Sequence, residues 1–199
     1  MHTAMVVPSP RTKTDLRTDA LCARRGFARG LSNTARGELE RLLMRQVMPR
    51  IGTAGVVAGY HPMTHEIDPS PLLDALAAAD RVVALPWFAD RDAPMMFREA
   101  PAIARGPWGV SQPDANALAV RPEFVLVPLV AVDRECNRIG HGQGHYDRAL
   151  ARLRESGPVR TIGIAWDVQV LDDMIPADPW DVPLDAVATA TRWIERTPA

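Results

Sequence analysis

Apolar residues recur at helical spacing over roughly the first fifty positions of the chain. From Thr12 to about Arg29 they lie on one helical face, which predicts an amphipathic helix that ends near Gly30. A second amphipathic pattern follows, with Ser32, Asn33 and Thr34 as candidate N-caps and with Pro49 and Gly52 closing it. The N-terminal part of the chain is therefore predicted to form two consecutive helices.

After this region, short uninterrupted apolar runs replace the helical pattern, as expected for strands that are buried on both faces. These runs cover residues 55–60, 82–85, 124–130, 161–165 and 186–188. Helices are predicted between some of them, over 70–79, with Ser70 as cap before Pro71, and over 145–154. Residues 106–120 carry few periodic signals and are predicted to be a long functional loop. The alternation predicts an α/β three-layer sandwich with a mainly parallel central sheet and helices on both faces.

Size and composition are typical of an ordinary globular protein. We expect residues 1–11 to be a flexible lead-in and residues 12–199 to form a single α/β domain. The net charge of −1 attracts neither nucleic acid nor an anionic membrane. No apolar run is long enough to span a bilayer and no signal peptide is evident, while Cys22 and Cys136 lie far apart. These features favour a reduced, cytoplasmic protein.

A glycine-rich turn at residues 138–148 carries the strongest chemical signal. Gly140, Gly142 and Gly144 alternate between a predicted buried strand and a predicted helix, where backbone N–H groups favour phosphate. The spacing differs from both the Walker A and the dinucleotide-binding patterns. On spacing alone, a tight strand-to-helix connection without a ligand remains an alternative. Asp147 in the first helical turn could likewise complement the helix dipole or bind magnesium.

This turn resembles the signature of the 5-formyltetrahydrofolate cyclo-ligase family, approximately R-x-G-x-G-x-G-x-Y-D-R. Four further segments resemble the family in the same order, so that the similarity extends from residue 13 to residue 189. They are Lys13 to Arg17 (K-x-x-L-R), Glu66 to Asp68, Gly163 to Gln169 and Trp180 to Asp185. Five ordered matches are far more specific than any one of them.

The resemblance implies ATP- and magnesium-dependent cyclisation of 5-formyltetrahydrofolate to 5,10-methenyltetrahydrofolate, with release of ADP and phosphate. It implies Arg138 and Asp147 as catalytic residues, Asp147 and Asp181 as Mg²⁺ ligands, and Tyr60, Glu66, His145 and Tyr146 as folate contacts. The implied ATP contacts are Lys13, Thr14, Asp15, Leu16, Arg17, Arg138, Ile139, Gly140, His141, Gly142, Gln143, Gly144, His145 and Tyr146. The implied partners are ATP and a folate substrate, with or without a polyglutamate tail, and we expect a monomer that binds neither nucleic acid nor membrane.

Each of these assignments has a plainer alternative. Lys13 and Arg17 could form a solvated helix face, Tyr60 could be a core residue, and Asp181 could cap a turn. Trp108 and Trp166 are expected to be core aromatics and are left out of the site.

The sequence also departs from the family pattern at the glycine-rich turn. Gln143 stands where many members have lysine and His145 where they have tyrosine. The loss of a cation at Gln143 leaves open a homologue that binds nucleotide or folate without turnover. A sugar-phosphate isomerase on a similar scaffold is a third possibility, although its chemistry requires a carboxylate–lysine pair and Lys13 is the sole lysine.

Overall fold

A computed structural model describes residues 11–197 of the chain. Residues 1–10 of the predicted lead-in lie outside the described residues, and Arg11 is exposed just before the first helix. The helices are α1 (Lys13–Gly30), α2 (Asn33–Ile51), α3 (Ser70–Ala78) and α4 (His145–Glu155), with a 3₁₀ turn at Asp167–Gln169. The strands are β1 (Val56–Ala58), β2 (Val82–Trp87), β3 (Met96–Glu99), β4 (Ala102–Arg105), β5 (Ser111–Pro113), β6 (Phe124–Pro128), β7 (Ala131–Val132), β8 (Arg138–Ile139), β9 (Arg160–Ile164), β10 (Ala186–Ala188) and β11 (Trp193–Glu195). None of the helices within residues 11–197 could cross a membrane.

The N-terminal helices begin and end at the residues that local chemistry favours. Thr12 and Asp15 form a capping box at the start of α1, and the hydroxyl of Ser32 accepts a hydrogen bond from the backbone N–H of Ala35 at the start of α2. Pro49 lies inside the last turn of α2, and Gly52 ends the helix with a positive φ of 60°. Both helices were therefore predicted to within a few residues.

The predicted cap of α3 is wrong. Ser70 is already helical, Pro69 occupies the N-cap position, and the carboxylate of Asp68 accepts the N–H of Ser70 at 2.9 Å. Pro71 lies in the first turn of α3, where the N–H that proline lacks would have no partner.

A seven-stranded sheet forms the centre of the molecule, in the order β11-β10-β9-β6-β1-β2-β3. The inner five strands pair in parallel, whereas β3 and β11 join the two edges antiparallel. The mainly parallel sheet is thus confirmed, and the sequence patterns missed its two edge strands.

Successive residues of the inner strands face opposite sides of the sheet. Val57, Phe124 and Leu126 pack with α2 and α3 on one side. Ala58 and Val125 pack with α4 on the other side. Since helices cover both faces, the predicted three-layer sandwich is confirmed.

Residues 106–120 are more ordered than a long loop. β4 and β5 form a hairpin whose tip spans residues 106–110. Strand β2 also extends beyond the predicted run of 82–85 to Trp87, and Pro86 pairs there with Phe97 of β3. A proline is tolerated at this point because β1 has already ended and does not require the missing N–H.

The order in which successive strands are added to the sheet reverses between β1 and β6. From β1 it proceeds through α3 to β2 on one side, and from β6 it proceeds through α4 to β9 on the other side. Since α3 and α4 cover opposite faces, a crevice opens at the carboxyl ends of β1 and β6. Ligand sites of open α/β sheets lie at such a switch point.

Candidate active site

A cavity of about 610 Å³ occupies this crevice. Residues that follow the carboxyl ends of β1, β2 and β6 line it, together with the start of α1, the glycine-rich turn and the tip of the β4–β5 hairpin. The predicted site residues among its lining are Lys13, Arg17, Tyr60, Glu66, Arg138, Ile139, Gly140, His141, Gly142, Gln143, Gly144, His145, Tyr146, Asp147 and Asp181. The fold therefore brings together segments that are more than 100 residues apart in sequence.

Lys13, in the first turn of α1, is held by two carboxylates. Its Nζ donates to Asp178 Oδ2 at 2.6 Å and also to Asp181 Oδ2. Burial opposes the charged form, but the hydrogen bonds to Asp178 and Asp181 prevail and raise the pKa of Lys13 above its ordinary value. A β-turn positions both aspartates, because Asp181 N–H donates to Asp178 O at 3.0 Å across Pro179 and Trp180.

The glycine-rich turn is joined to α1 and ends at the N-terminus of α4. Arg17 Nε donates to Gly140 O at 2.9 Å. Gly142 and Gly144 have positive φ angles of 88° and 63°, which glycine adopts without strain. Gly144 is the N-cap of α4 and provides no side-chain cap, so the first N–H groups of the helix are left for a ligand.

Arg138 and Asp147 form a partly buried ion pair beside this helix terminus. Arg138 Nη2 donates to Asp147 Oδ1 at 2.8 Å, and the Arg138 side chain is only 5% exposed. The backbone N–H of Val182 donates to the same oxygen at 3.1 Å. Burial lowers the pKa of Arg138, and Asp147 offsets part of that effect. The pair fixes Asp147 in one orientation.

The carboxylates of the cavity fit a magnesium ion better than a metal held by protein ligands alone. Within residues 11–197 no group of three or more His, Cys, Asp or Glu side chains could hold a metal. Asp147 and Asp181 each accept hydrogen bonds through one oxygen, and across the described part of the chain the other oxygen accepts none. Mg²⁺ takes one or two carboxylates and completes its shell with water and phosphate oxygens, a requirement that these two residues could meet.

A second set of predicted residues lies on the other side of the glycine-rich turn. Glu66 is almost fully buried and accepts from the N–H of Met63 at 2.9 Å and from Arg24 Nη1 at 3.3 Å. The Tyr60 hydroxyl donates to the carbonyl of Ile67 at 3.0 Å, and burial raises the pKa of Tyr60 well above its ordinary value. Tyr60 therefore belongs to the core and also lines the cavity.

Aromatic side chains line the mouth of the cavity. The rings of Phe88, Trp108 and His145 lie 4.9–5.1 Å apart. Burial and then the nearby Arg148 lower the pKa of His145, which favours the neutral imidazole. The hydroxyl of Tyr146 is buried and has no hydrogen-bond partner among the described residues, and burial raises its pKa. Tyr146 itself lines the cavity, and a buried hydroxyl without a partner is unusual in folded proteins.

Three residues of the predicted ATP-binding segment do not line the cavity. Leu16 is buried against Val130 and Ile139. Thr14 and Asp15 are exposed, and Asp15 accepts from the N–H and the hydroxyl of Thr12. In this segment only the i and i+4 positions, Lys13 and Arg17, face the cavity.

Other lining residues were missed. The expectation of a core aromatic is wrong for Trp108, which is 44% exposed and lines the cavity, and correct for Trp166, which is buried. Asp178 was also missed, although its position three residues before Asp181, with proline between them, is a turn signal. Arg24 does not line the cavity but contacts Glu66, which does, and it was missed although it continues the helical spacing of Lys13 and Arg17.

The fold and the cavity define an α/β protein with a ligand site at the switch point of a parallel sheet. The chain belongs to the 5-formyltetrahydrofolate cyclo-ligase family, whose sequence model matches residues 9–190. The 5-formyltetrahydrofolate cyclo-ligase of Mycolicibacterium smegmatis is 33% identical over 94% of this chain and 97% of its own length. That of Escherichia coli K12 is 28% identical over 72% of this chain and 82% of its own.

Solved structures agree with this assignment. The NMR structure of Aquifex aeolicus 5,10-methenyltetrahydrofolate synthetase superimposes with a TM-score of 0.75 at 26% identity, over 94% of each chain. A 5,10-methenyltetrahydrofolate synthetase from Mycoplasma pneumoniae shares the fold, with a TM-score of 0.70 at 23% identity. The recognition of the family from five sequence segments is thereby confirmed.

Proposed function

We propose that this protein uses ATP to cyclise 5-formyltetrahydrofolate to 5,10-methenyltetrahydrofolate, with release of ADP and phosphate. The observation that carries the proposal is the composition of the single cavity at the switch point. Its lining includes the cations Lys13 and Arg17 with the glycine-rich turn, and it also includes the carboxylate of Glu66 and the rings of Phe88 and Trp108. A triphosphate and a polar aromatic substrate could therefore meet in one enclosed space.

The reaction consists of two substitutions. The formyl oxygen attacks the γ-phosphorus of ATP, and the bond to the β–γ bridging oxygen breaks to release ADP. N10 of the folate then attacks the activated formyl carbon, and phosphate leaves with the original formyl oxygen while N10 gives up its proton. Both substitutions depend mainly on positioning and on charge stabilisation, and they require no protein nucleophile.

The cationic and N–H groups of the chain are placed to stabilise phosphate charge. In this proposal Arg17 and the uncapped N-terminus of α4 bind phosphate oxygens, and Lys13 exchanges one of its aspartate partners for phosphate. Arg138 holds Asp147 in position, and Asp147 and Asp181 would hold Mg²⁺. When bound, Mg²⁺ supplies neutralisation of the negative charge that develops on the phosphates.

The folate would occupy the other part of the cavity. Glu66 would accept hydrogen bonds from pterin N–H groups, and the Tyr146 side chain, which lines the cavity, would contact the substrate. His145, which packs against both Phe88 and Trp108, would contact the aromatic part of the substrate. We further propose that residues 12–199 form one domain and that the protein acts as a cytoplasmic monomer.

The test is a turnover assay with purified protein, 5-formyltetrahydrofolate and Mg-ATP. We expect the near-ultraviolet absorbance of the methenyl product to appear only when all three components are present. Omission of ATP, or replacement of ATP by ADP, serves as the control. If no absorbance appeared while folate and ATP were both present, the proposed turnover would be wrong.

The alternative of a binding module rests on Gln143, which lines the cavity and is exposed where many family members have lysine. Calorimetric titration separates the two functions, since a binding module would bind ATP or folate without producing the methenyl absorbance.

A further inference from the structure

Helix α1 presents a third cation on the same face as Lys13 and Arg17. Arg24 lies eleven residues after Lys13, so at about 100° per residue the three side chains fall within roughly 40° of one another around the helix. Lys13 and Arg17 line the cavity, whereas Arg24 does not line it and instead contacts Glu66, which does. The Arg24 side chain is only 6% exposed.

Arg24 is paired with a carboxylate that is as deeply buried as itself. Arg24 Nη1 lies 3.3 Å from Glu66 Oε1 and 3.3 Å from the carbonyl oxygen of Leu129, and the Glu66 side chain is 5% exposed. Glu66 Oε2 accepts the N–H of Met63 at 2.9 Å. These contacts hold the carboxylate from two sides, through a helix and through a loop.

A buried carboxylate needs such a partner. Without an adjacent cation its charged form is strongly disfavoured in a site shielded from water. Of the other groups near Glu66, Tyr60 and Tyr146 are neutral phenols, and His141 Nε2 stands at 3.7 Å on the glycine-rich turn, where its side chain is 43% exposed. Arg36 donates to the backbone carbonyl of Glu66, so Arg24 is the permanently charged partner of the Glu66 carboxylate itself in the described residues.

We propose that Arg24 is a positioning residue for the folate substrate. It compensates the charge of Glu66 and orients the carboxylate as an acceptor for N–H donors of the pterin, without itself touching the substrate. The inference rests on the proposed function. Lys13 and Arg17 serve the nucleotide, and Arg24, the third cation on the same face of α1, serves the folate. It predicts that loss of Arg24 weakens folate binding and leaves ATP binding unchanged.

The experiment is a double-mutant cycle between Arg24→Met and Glu66→Gln, with KM measured separately for each substrate. We expect Arg24→Met to raise the KM for 5-formyltetrahydrofolate by about tenfold or more, as when a charge-assisted hydrogen bond is weakened. The KM for ATP should stay within about twofold. In the Glu66→Gln background, Arg24→Met should add less than about threefold, because the carboxylate through which it acts is already absent.

Two further variants guard against a structural explanation. Arg24→Lys retains the charge and should recover most of the folate affinity, while Arg25→Met removes an exposed neighbouring cation of α1 and should change neither KM. If Arg24→Met does not fold, the cycle is run with Arg24→Lys, for which a smaller rise confined to the folate KM is expected.

Additive effects in the cycle, or equal rises in both KM values, would overturn the inference. Absence of turnover in the wild type would count against the proposed function instead. In that case the same cycle is measured by calorimetric titration with 5-formyltetrahydrofolate, where additivity again excludes a role through Glu66.

Discussion

At the scale of single residues, Asp147 has an observed role, the ion pair with Arg138, and a proposed role, the binding of magnesium, and a conservative substitution can separate the two. One oxygen accepts hydrogen bonds from Arg138 and from the N–H of Val182, and the other accepts none in the described residues. Asp147→Asn retains an oxygen acceptor for the first role and removes the charge needed for magnesium. We therefore expect Asp147→Asn to fold normally and to lose magnesium-dependent turnover by about a hundredfold or more.

Asp147→Ala is the matched comparison, because it removes the oxygen acceptor as well as the charge and leaves Arg138 Nη2 and the N–H of Val182 without the acceptor that Asn retains. It should lower the free energy of unfolding by about 2 kcal/mol relative to Asp147→Asn, as expected for an unsatisfied buried donor. Urea unfolding of both variants measures this difference. Wild-type turnover in Asp147→Asn would remove Asp147 from the reaction, and equal stabilities would show that the Arg138 pair is unimportant for folding.

At the scale of elements, the positions in the glycine-rich turn differ in whether the backbone requires glycine. Gly144 has a φ of 63°, and an added Cβ would lie 3.0 Å from Arg148 Nη1, whereas Gly140 has no positive φ and no atom within 4 Å of an added Cβ. We expect Gly144→Ala to lower the free energy of unfolding by about 1–2 kcal/mol. Gly140→Ala should leave it unchanged, and thermal or urea unfolding distinguishes the two. Equal losses would mean that the turn is not held as described.

The elements that could be predicted from sequence are those whose signals are local. Capping residues and helical spacing located α1 and α2, and continuous apolar runs located the inner strands, since a strand buried on both faces has no polar alternation. β3 and β11 lie at sheet edges, and the hairpin of β4 and β5 is only half-buried, so their patterns are weak. Such strands depend on tertiary pairing, which spacing does not encode.

The same distinction applies to the site. Lys13, Arg17 and the glycine-rich turn belong to motifs, so the family resemblance identified them. Asp178, Trp108 and Arg24 lie outside those motifs and reach the site only through the folded chain. Trp108 was misjudged because exposure on a hairpin tip cannot be inferred from the amino-acid type.

At the scale of the whole molecule, one sheet supports the buried clusters on both of its faces, which leads us to expect a single unfolding transition. Leu43 of α2 packs on one face and Leu150 of α4 on the other, and both are almost fully buried. The strands between them contribute alternate residues to both clusters, so neither face can lose its packing while the other remains intact.

Leu43→Ala and Leu150→Ala should each lower the free energy of unfolding by about 2–5 kcal/mol and should shift the same urea transition. Tryptophan fluorescence and far-ultraviolet circular dichroism should report coincident curves for the wild type and for both variants. If either substitution split the transition, or shifted only one probe, the two faces would be separate folding units, and the proposal of one domain over residues 12–199 would be wrong.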